Sequence, residues 1–251
     1  MKNKHNIDDL LTEFRPEHFA EIVGQGVIKK QLTNMVANDA VPNGIIFSGT
    51  WGVGKTTLAK VLANALSCEA WKPGTYEPCG ECESCMQRTR SIYLMHSSIV
   101  TDERLKNEIG TAKYAKNMWG GRKAVLIIDD IDNVAPKHQR LIRASLDEHW
   151  TKGALIVTAM DAGKLDKPLR QRLIEMPVMP PLLPETVAWL RDVVLKRLGI
   201  GVTDEKVLEE LVKIGQFNFR SILKILSPIY NAKEPLTVAA VRDAALQNGY
   251  G

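Results

Sequence analysis

The chain has 251 residues, enough for one large domain or two smaller ones with a sizeable core. It is 45% hydrophobic and 25% charged, holds no apolar run near the ~20 residues of a membrane helix, and opens on Met1-Lys2-Asn3-Lys4-His5 without a signal peptide's apolar stretch. These features exclude a helical membrane span and set a cytoplasmic default, while a formal charge of +4 is compatible with DNA as a partner without requiring it.

In chain order, Ile45-Ile46-Phe47 is the first short apolar run, followed by a glycine-rich stretch. Beyond Lys55, the residues Leu58, Val61, Leu62, Ala65 and Leu66 keep to one face at helical spacing, which predicts a helix directly after the glycine loop. All four cysteines then fall between Cys68 and Cys85. Two further apolar runs, Val125 to Ile128 and Ala154 to Val157, complete the pattern of an α/β unit with a buried parallel sheet. The segment Met176 to Pro184 contains four prolines and is expected to interrupt regular structure. A domain boundary is therefore placed there, with residues 1–178 binding nucleotide and residues 179–251 forming a small helical domain. In that tail Val187, Leu190, Val194 and Leu198 form one stripe and Val207, Leu208, Leu211 and Val212 another, with Thr203 and Thr237 at N-cap positions.

Residues 49 to 56 read Gly49-Thr50-Trp51-Gly52-Val53-Gly54-Lys55-Thr56, a full match to the phosphate-binding loop G-x-x-x-x-G-K-S/T. Its glycines let backbone N–H groups turn toward a phosphate, and the following helix points its positive end at the same place. In this pattern Lys55 contacts the β- and γ-phosphates of ATP, and Thr56 places its hydroxyl on Mg²⁺. A buried strand ending in acids supplies the second half of such a site: Asp129 is expected to orient the Mg²⁺ and Asp130 the attacking water. Asp132 reads as a solvated turn residue.

The cysteines are spaced Cys68-x10-Cys79-x2-Cys82-x2-Cys85. Thiolates at such spacing fill a closed tetrahedral shell, which points to a structural Zn²⁺. Two disulfides are disfavoured in a reducing compartment. An iron–sulfur cluster, the other competitor, lacks its usual fourth Cys followed by Pro.

Ser48 to Lys60, continuing through Ser67-Cys68-Glu69 and Pro78-Cys79-Gly80-Glu81-Cys82-Glu83-Ser84-Cys85, resembles the gamma/tau motor-subunit family of bacterial clamp loaders. Those proteins are AAA+ ATPases with a zinc module inserted at this point. The resemblance implies a P-loop AAA+ domain with a central parallel sheet flanked by helices, the inserted zinc module, and a C-terminal helical lid. It adds Thr57 to the nucleotide contacts, and it makes Phe14-Arg15-Pro16 through Val23-Gly24-Gln25 the segment that closes over the adenine, with Arg15 and Val23 among its contacts. Arg172, within Leu169-Arg170-Gln171-Arg172-Leu173, falls where the family carries an arginine that reaches a neighbouring subunit's ATP, with Arg170 as runner-up. Arg220 falls at the sensor arginine of the lid. The implied partners are other clamp-loader subunits, a sliding clamp and primer–template DNA.

The departures matter too. Asp129-Asp130 stands where the family has Asp-Glu, one methylene shorter at the water-positioning residue, so slow hydrolysis is expected. The polar sensor at the end of the next strand aligns with either Thr158 or Met160. Trp51 occupies a position where the family often has arginine, and packing against the domain is the expectation for it. Family members continue into a collar domain beyond the lid, so the chain reads as a fragment or as a shortened viral or plasmid form. A non-hydrolysing nucleotide-bound scaffold is one competing function, and another AAA+ DNA motor, such as a branch-migration helicase or helicase loader, is a second. Elemental analysis of the purified chain is expected to return about one equivalent of zinc; less than about half an equivalent would contradict the closed four-thiolate site.

Overall fold

The computed structural model describes residues 7–87, 91–114, 122–148, 150, 153–201 and 204–250. After helix α1 (Ile7–Glu13) and helix α2 (Gly26–Ala37), strand β1 (Gly44–Ser48) leads through the glycine loop into α3 (Lys55–Ser67). The cysteine-bearing loop holds the single turn α4 (Glu83–Met86). Then follow β2 (Ile92–His96), α5 (Asp102–Tyr114), β3 (Ala124–Asp129), α6 (Pro136–Leu146), β4 (Gly153–Ala159), α7 (Lys167–Arg170) and β5 (Ile174–Pro177). All later elements are helical: α8 (Leu183–Trp189), running on through a π-turn, then α9 (Lys196–Leu198), α10 (Glu205–Ile214), α11 (Phe219–Ala232) and α12 (Val238–Gln247).

The five strands pair in parallel in the order β2-β3-β4-β1-β5. The central strands β1, β3 and β4 are buried along their whole length, as continuous apolar runs in a two-sided parallel sheet require. One face packs on α2 and α3 through Leu32, Leu58, Leu62 and Leu66, and the other on α5, α6 and α7 through Leu105, Ile142 and Leu169. The C-terminal helices have their own core, built on Leu190, Leu208, Ile222 and Leu226, and it also takes in Leu10 and Phe14 from the start of the chain.

Two expectations need correction, while regular structure does break within Met176 to Pro184, between β5, which ends at Pro177, and α8, which begins at Leu183. β5 is an edge strand, where a proline at the last position removes no ladder bond that a neighbour needs. Thr203 lies outside the described residues, and the N-cap of α10 is Asp204, whose carboxylate accepts from the Lys206 N–H at 2.9 Å. Asp132 is not simply solvated: its Oδ2 accepts the N–H groups of Met160 at 3.2 Å and Asp161 at 3.3 Å, which ties the loop after β3 to the end of β4. Thr237 does cap α12, accepting from Ala240 N–H at 3.2 Å.

Truncating Leu62, fully buried between α3 and the sheet, to Ala is expected to cost about 2–5 kcal/mol of stability in urea unfolding. A change under about 0.5 kcal/mol would contradict the packing described.

Candidate nucleotide site and cysteine cluster

The parallel strands all end on the same edge of the sheet, and the sequence-predicted phosphate residues gather there. The loop from β1 to α3 depends on glycine where backbones approach. A Cβ at Gly49 would sit 2.2 Å from the Val178 carbonyl oxygen, and one at Gly52 (φ +76) would lie 2.1 Å from the Asn218 side chain. Lys55 opens α3 and is only 6% exposed. Its Nζ donates to the carbonyls of Gly49 at 2.9 Å and Thr50 at 2.8 Å, which holds the ammonium inside the curl of the loop. Burial pushes its pKa below the ordinary lysine value, opposed by the carboxylates of Asp130, Asp129 and Asp132.

Asp129, at the end of β3, joins three elements. Its Oδ1 accepts the Thr56 hydroxyl of α3 at 2.8 Å and the Thr158 hydroxyl of β4 at 2.5 Å. Thr158 is fully buried, and its Oγ in turn accepts the Asp130 N–H at 3.0 Å. Asp130 follows in the left-handed region (φ +57), a conformation that Asp tolerates better than most residues. Burial, then the neighbouring Asp129, raises its carboxyl pKa. Of the two candidates, Thr158 reaches the acids, whereas Met160 lies beyond β4 and is half exposed. Sequence reasoning missed His96. It ends β2 in register with Asp129, and its Nδ1 lies 3.8 Å from Asp129 Oδ2. The signal was there in a short apolar run closing on a polar residue, but β2 was not recognised as a strand.

Lys55, Thr56, His96, Asp129 and Asp130 face a cleft of about 320 Å³. Gly52, Val53, Gly54 and Thr57 line its floor; Phe14, Arg15, Pro16 and Val23 from the opening segment line one wall. Trp189, Phe219 and Arg220 reach it from the C-terminal helices. Trp51 does more than pack, since the Arg220 guanidinium lies 5.1 Å above its ring and the indole stays 48% exposed. Asn218 fastens the helices to the loop: its Oδ1 caps α11 by accepting from Arg220 and Ser221 N–H groups, and its Nδ2 donates to the Trp51 carbonyl at 3.0 Å.

The structure does not bring Arg172 to this cleft. Ile174 pairs with Ile45 at the start of β1, so Arg172 lies at the sheet edge opposite the glycine loop, bonded to Asp147 and to the Pro168 carbonyl. Arg170 is engaged by Glu175 through Nε and Nη2.

The four cysteine sulfurs lie within 4.8 Å of one another. Cys79 and Cys85 sulfurs are 3.9 Å apart, close to the roughly 3.8 Å edge of a tetrahedron with 2.3 Å zinc–sulfur bonds. Burial opposes ionisation of Cys79, but N–H donation from Cys82 and Glu81 outweighs it and brings the thiol down to about 7, so a thiolate is available near neutrality. Cys68 and Cys85 are buried, which raises both. A soft, closed four-sulfur donor set fits Zn²⁺.

A parallel sheet in this order, with a glycine loop after its first strand and acids at the end of the third, defines a P-loop AAA+ fold. A search of solved structures agrees: the RuvB Holliday junction branch migration motor of Thermotoga maritima superposes with a TM-score of 0.68 at 16% identity, covering 93% of this chain and 72% of that one. The chain belongs to the family described as DNA polymerase III, delta subunit, whose model matches residues 24–172, and it is clamp-loader-like. It is 27% identical over 238 residues to DNA polymerase III subunit gamma/tau of Mycoplasma pneumoniae, covering 92% of this chain and 34% of that protein. To the tau subunit of Escherichia coli it is 28% identical over 171 residues, 66% of this chain and 26% of that protein. To the replication factor C small subunit of Methanosphaera stadtmanae it is 25% identical over 231 residues, covering 92% of this chain and 66% of that protein. The chain thus spans about a third or less of the two polymerase III subunits. No helix among the described residues is long and apolar enough to cross a membrane.

Asn218→Ala removes both the cap of α11 and the bond to the loop, and is expected to cost about 1–2 kcal/mol in chemical unfolding. Asn218→Asp keeps the cap acceptor and should recover part of that loss; equal losses for both variants would show that the cap contributes nothing.

Proposed function

We propose that this chain binds ATP with a divalent ion in the cleft at Lys55 and hydrolyses it as a motor subunit of a clamp loader, helping to open a sliding clamp and place it on primer–template DNA. The observation that carries this reading is the convergence of Lys55, Thr56, Asp129, Asp130 and Thr158 at one sheet edge, in a chain of the polymerase III family. The parts divide the chemistry as follows. N–H groups of the loop from Gly49 to Thr57 cradle the phosphates, and Lys55 exchanges its carbonyl partners for phosphate oxygens. Thr56 and Asp129 are the oxygen donors that would hold Mg²⁺, which supplies charge neutralisation on the phosphates. Asp130, directed by its N–H bond to Thr158, accepts the proton of the attacking water.

The opening segment with Arg15 and Val23 covers the adenine, and Arg220 lies on the lid side of the phosphates. Arg172 lies away from its own glycine loop, so the role proposed for it is toward a neighbouring subunit's ATP, as the family resemblance implies. An arginine supplied in that way stabilises charge on the transferring phosphoryl group by roughly 10³ or more in rate, and it makes turnover depend on assembly. DNA contacts of such an assembly are mainly to phosphates. A cytoplasmic setting accords with this role.

ATP turnover by the purified chain, with companion subunits, a clamp and primed DNA added in turn, tests the reading. Stimulation by clamp and primed DNA together is expected, whereas nucleotide binding with no turnover under any combination would leave a structural scaffold in its place. Asp130→Asn is expected to lower turnover by about 10²-fold or more with nucleotide affinity nearly unchanged. Lys55→Ala should abolish both, and a Lys55→Ala chain with full turnover would refute the site.

A further inference from the structure

His96 has no part in the roles assigned above, yet it faces them. The pairing of β2 with β3 puts His96 directly beside Asp129, and neighbouring strands are held about 4.8 Å apart by their ladder, so this placement is built into the sheet. One oxygen of Asp129 is taken by the hydroxyls of Thr56 and Thr158. The other is turned toward His96, with Nδ1 at 3.8 Å. Donor atoms of His96, Asp129 and Asp130 all lie within 4.8 Å of one another, and small adjustments of the His96 and Asp129 side chains bring those two into one coordination shell. The imidazole is 57% exposed and lines the same cleft as Lys55 and Thr56, so it is open to a ligand arriving with the nucleotide.

From this juxtaposition we infer that His96 supplies a nitrogen ligand to the divalent ion of the nucleotide, and that the site consequently prefers Mn²⁺ to Mg²⁺. The inference rests on the nucleotide-site reading above and specifies its metal. The reason is donor chemistry. Mg²⁺ demands near-ideal octahedral oxygen coordination and gives up water reluctantly. Carboxylates suit Mg²⁺ and Mn²⁺ alike, but imidazole nitrogen favours first-row transition ions, so replacing one oxygen or water by nitrogen tilts a mixed shell toward Mn²⁺.

The test uses the full chain with Mn²⁺ and ATP. Pulsed electron paramagnetic resonance of protein-bound Mn²⁺ is expected to show modulation from a directly bound imidazole nitrogen, and His96→Asn should abolish it. Competition between the two ions should show His96→Asn lowering the Mn²⁺-over-Mg²⁺ preference by about tenfold or more. ATP affinity in EDTA, measured separately by calorimetry, is expected to be equal in both proteins. Bound Mn²⁺ without nitrogen modulation, or an unchanged ion preference in the variant, would overturn the inference and leave His96 as no more than a neighbour of Asp129. ATP that fails to bind the unaltered chain under any metal condition would overturn the nucleotide reading itself, and this inference with it.

Discussion

The Asp129 carboxylate is the point on which the site depends. It is 6% exposed at the end of a fully buried strand, and a single oxygen accepts hydroxyls from both α3 and β4. A buried carboxylate is costly unless its oxygens are satisfied, so these two bonds allow it to remain at the sheet edge. They also set positions: Thr56 is pinned at the start of the helix that follows the glycine loop, and Thr158 is pinned so that its own oxygen receives the Asp130 N–H. One carboxylate thus aligns the phosphate loop, the proposed water-positioning acid and the neighbouring strand.

A second set of contacts carries order outward from the cysteine loop to the cleft wall. Glu77, two residues before Cys79, accepts the N–H groups of Phe19 at 2.9 Å and Ala20 at 3.0 Å. Phe19 is buried against the same core as Val53 and Leu58. Trp71, in the same loop, donates to the Val36 carbonyl at 3.1 Å and lies under the Arg122 guanidinium. The cysteine loop has little apolar substance of its own, and these polar links make its closure matter to the segment that lines the nucleotide cleft.

Much of this was legible in the sequence because the central strands are buried on both faces and therefore uniformly apolar. Ile45-Ile46-Phe47, Val125 to Ile128 and Ala154 to Val157 announce themselves in that way. The edge strands do not. β2 has a short apolar run, Ile92 to Met95, but Tyr93 and Leu94 are partly exposed and the run is weaker than those of the central strands, while β5 carries Glu175 and Pro177 and has neither a run nor an alternation. His96 was lost along with β2, since its proximity to Asp129 exists only through strand pairing. The glycine loop and the cysteines were legible as spacing, because local chain geometry sets which residues can surround a phosphate or an ion. Thr158 is reached only through the family resemblance, and the bond of Asn218 to Trp51 spans a long sequence separation, where spacing carries no information.

The central claim is that Asp129 couples a metal ion to nucleotide bound at the glycine loop. Calorimetric titration of ATP into the unaltered chain and into Asp129→Asn, each with divalent metal and with EDTA, tests it most directly. The account predicts that metal strengthens ATP binding by about tenfold or more in the unaltered chain and by little in the variant, with similar affinities in EDTA. An Asp129→Asn chain that keeps the full metal dependence would contradict it.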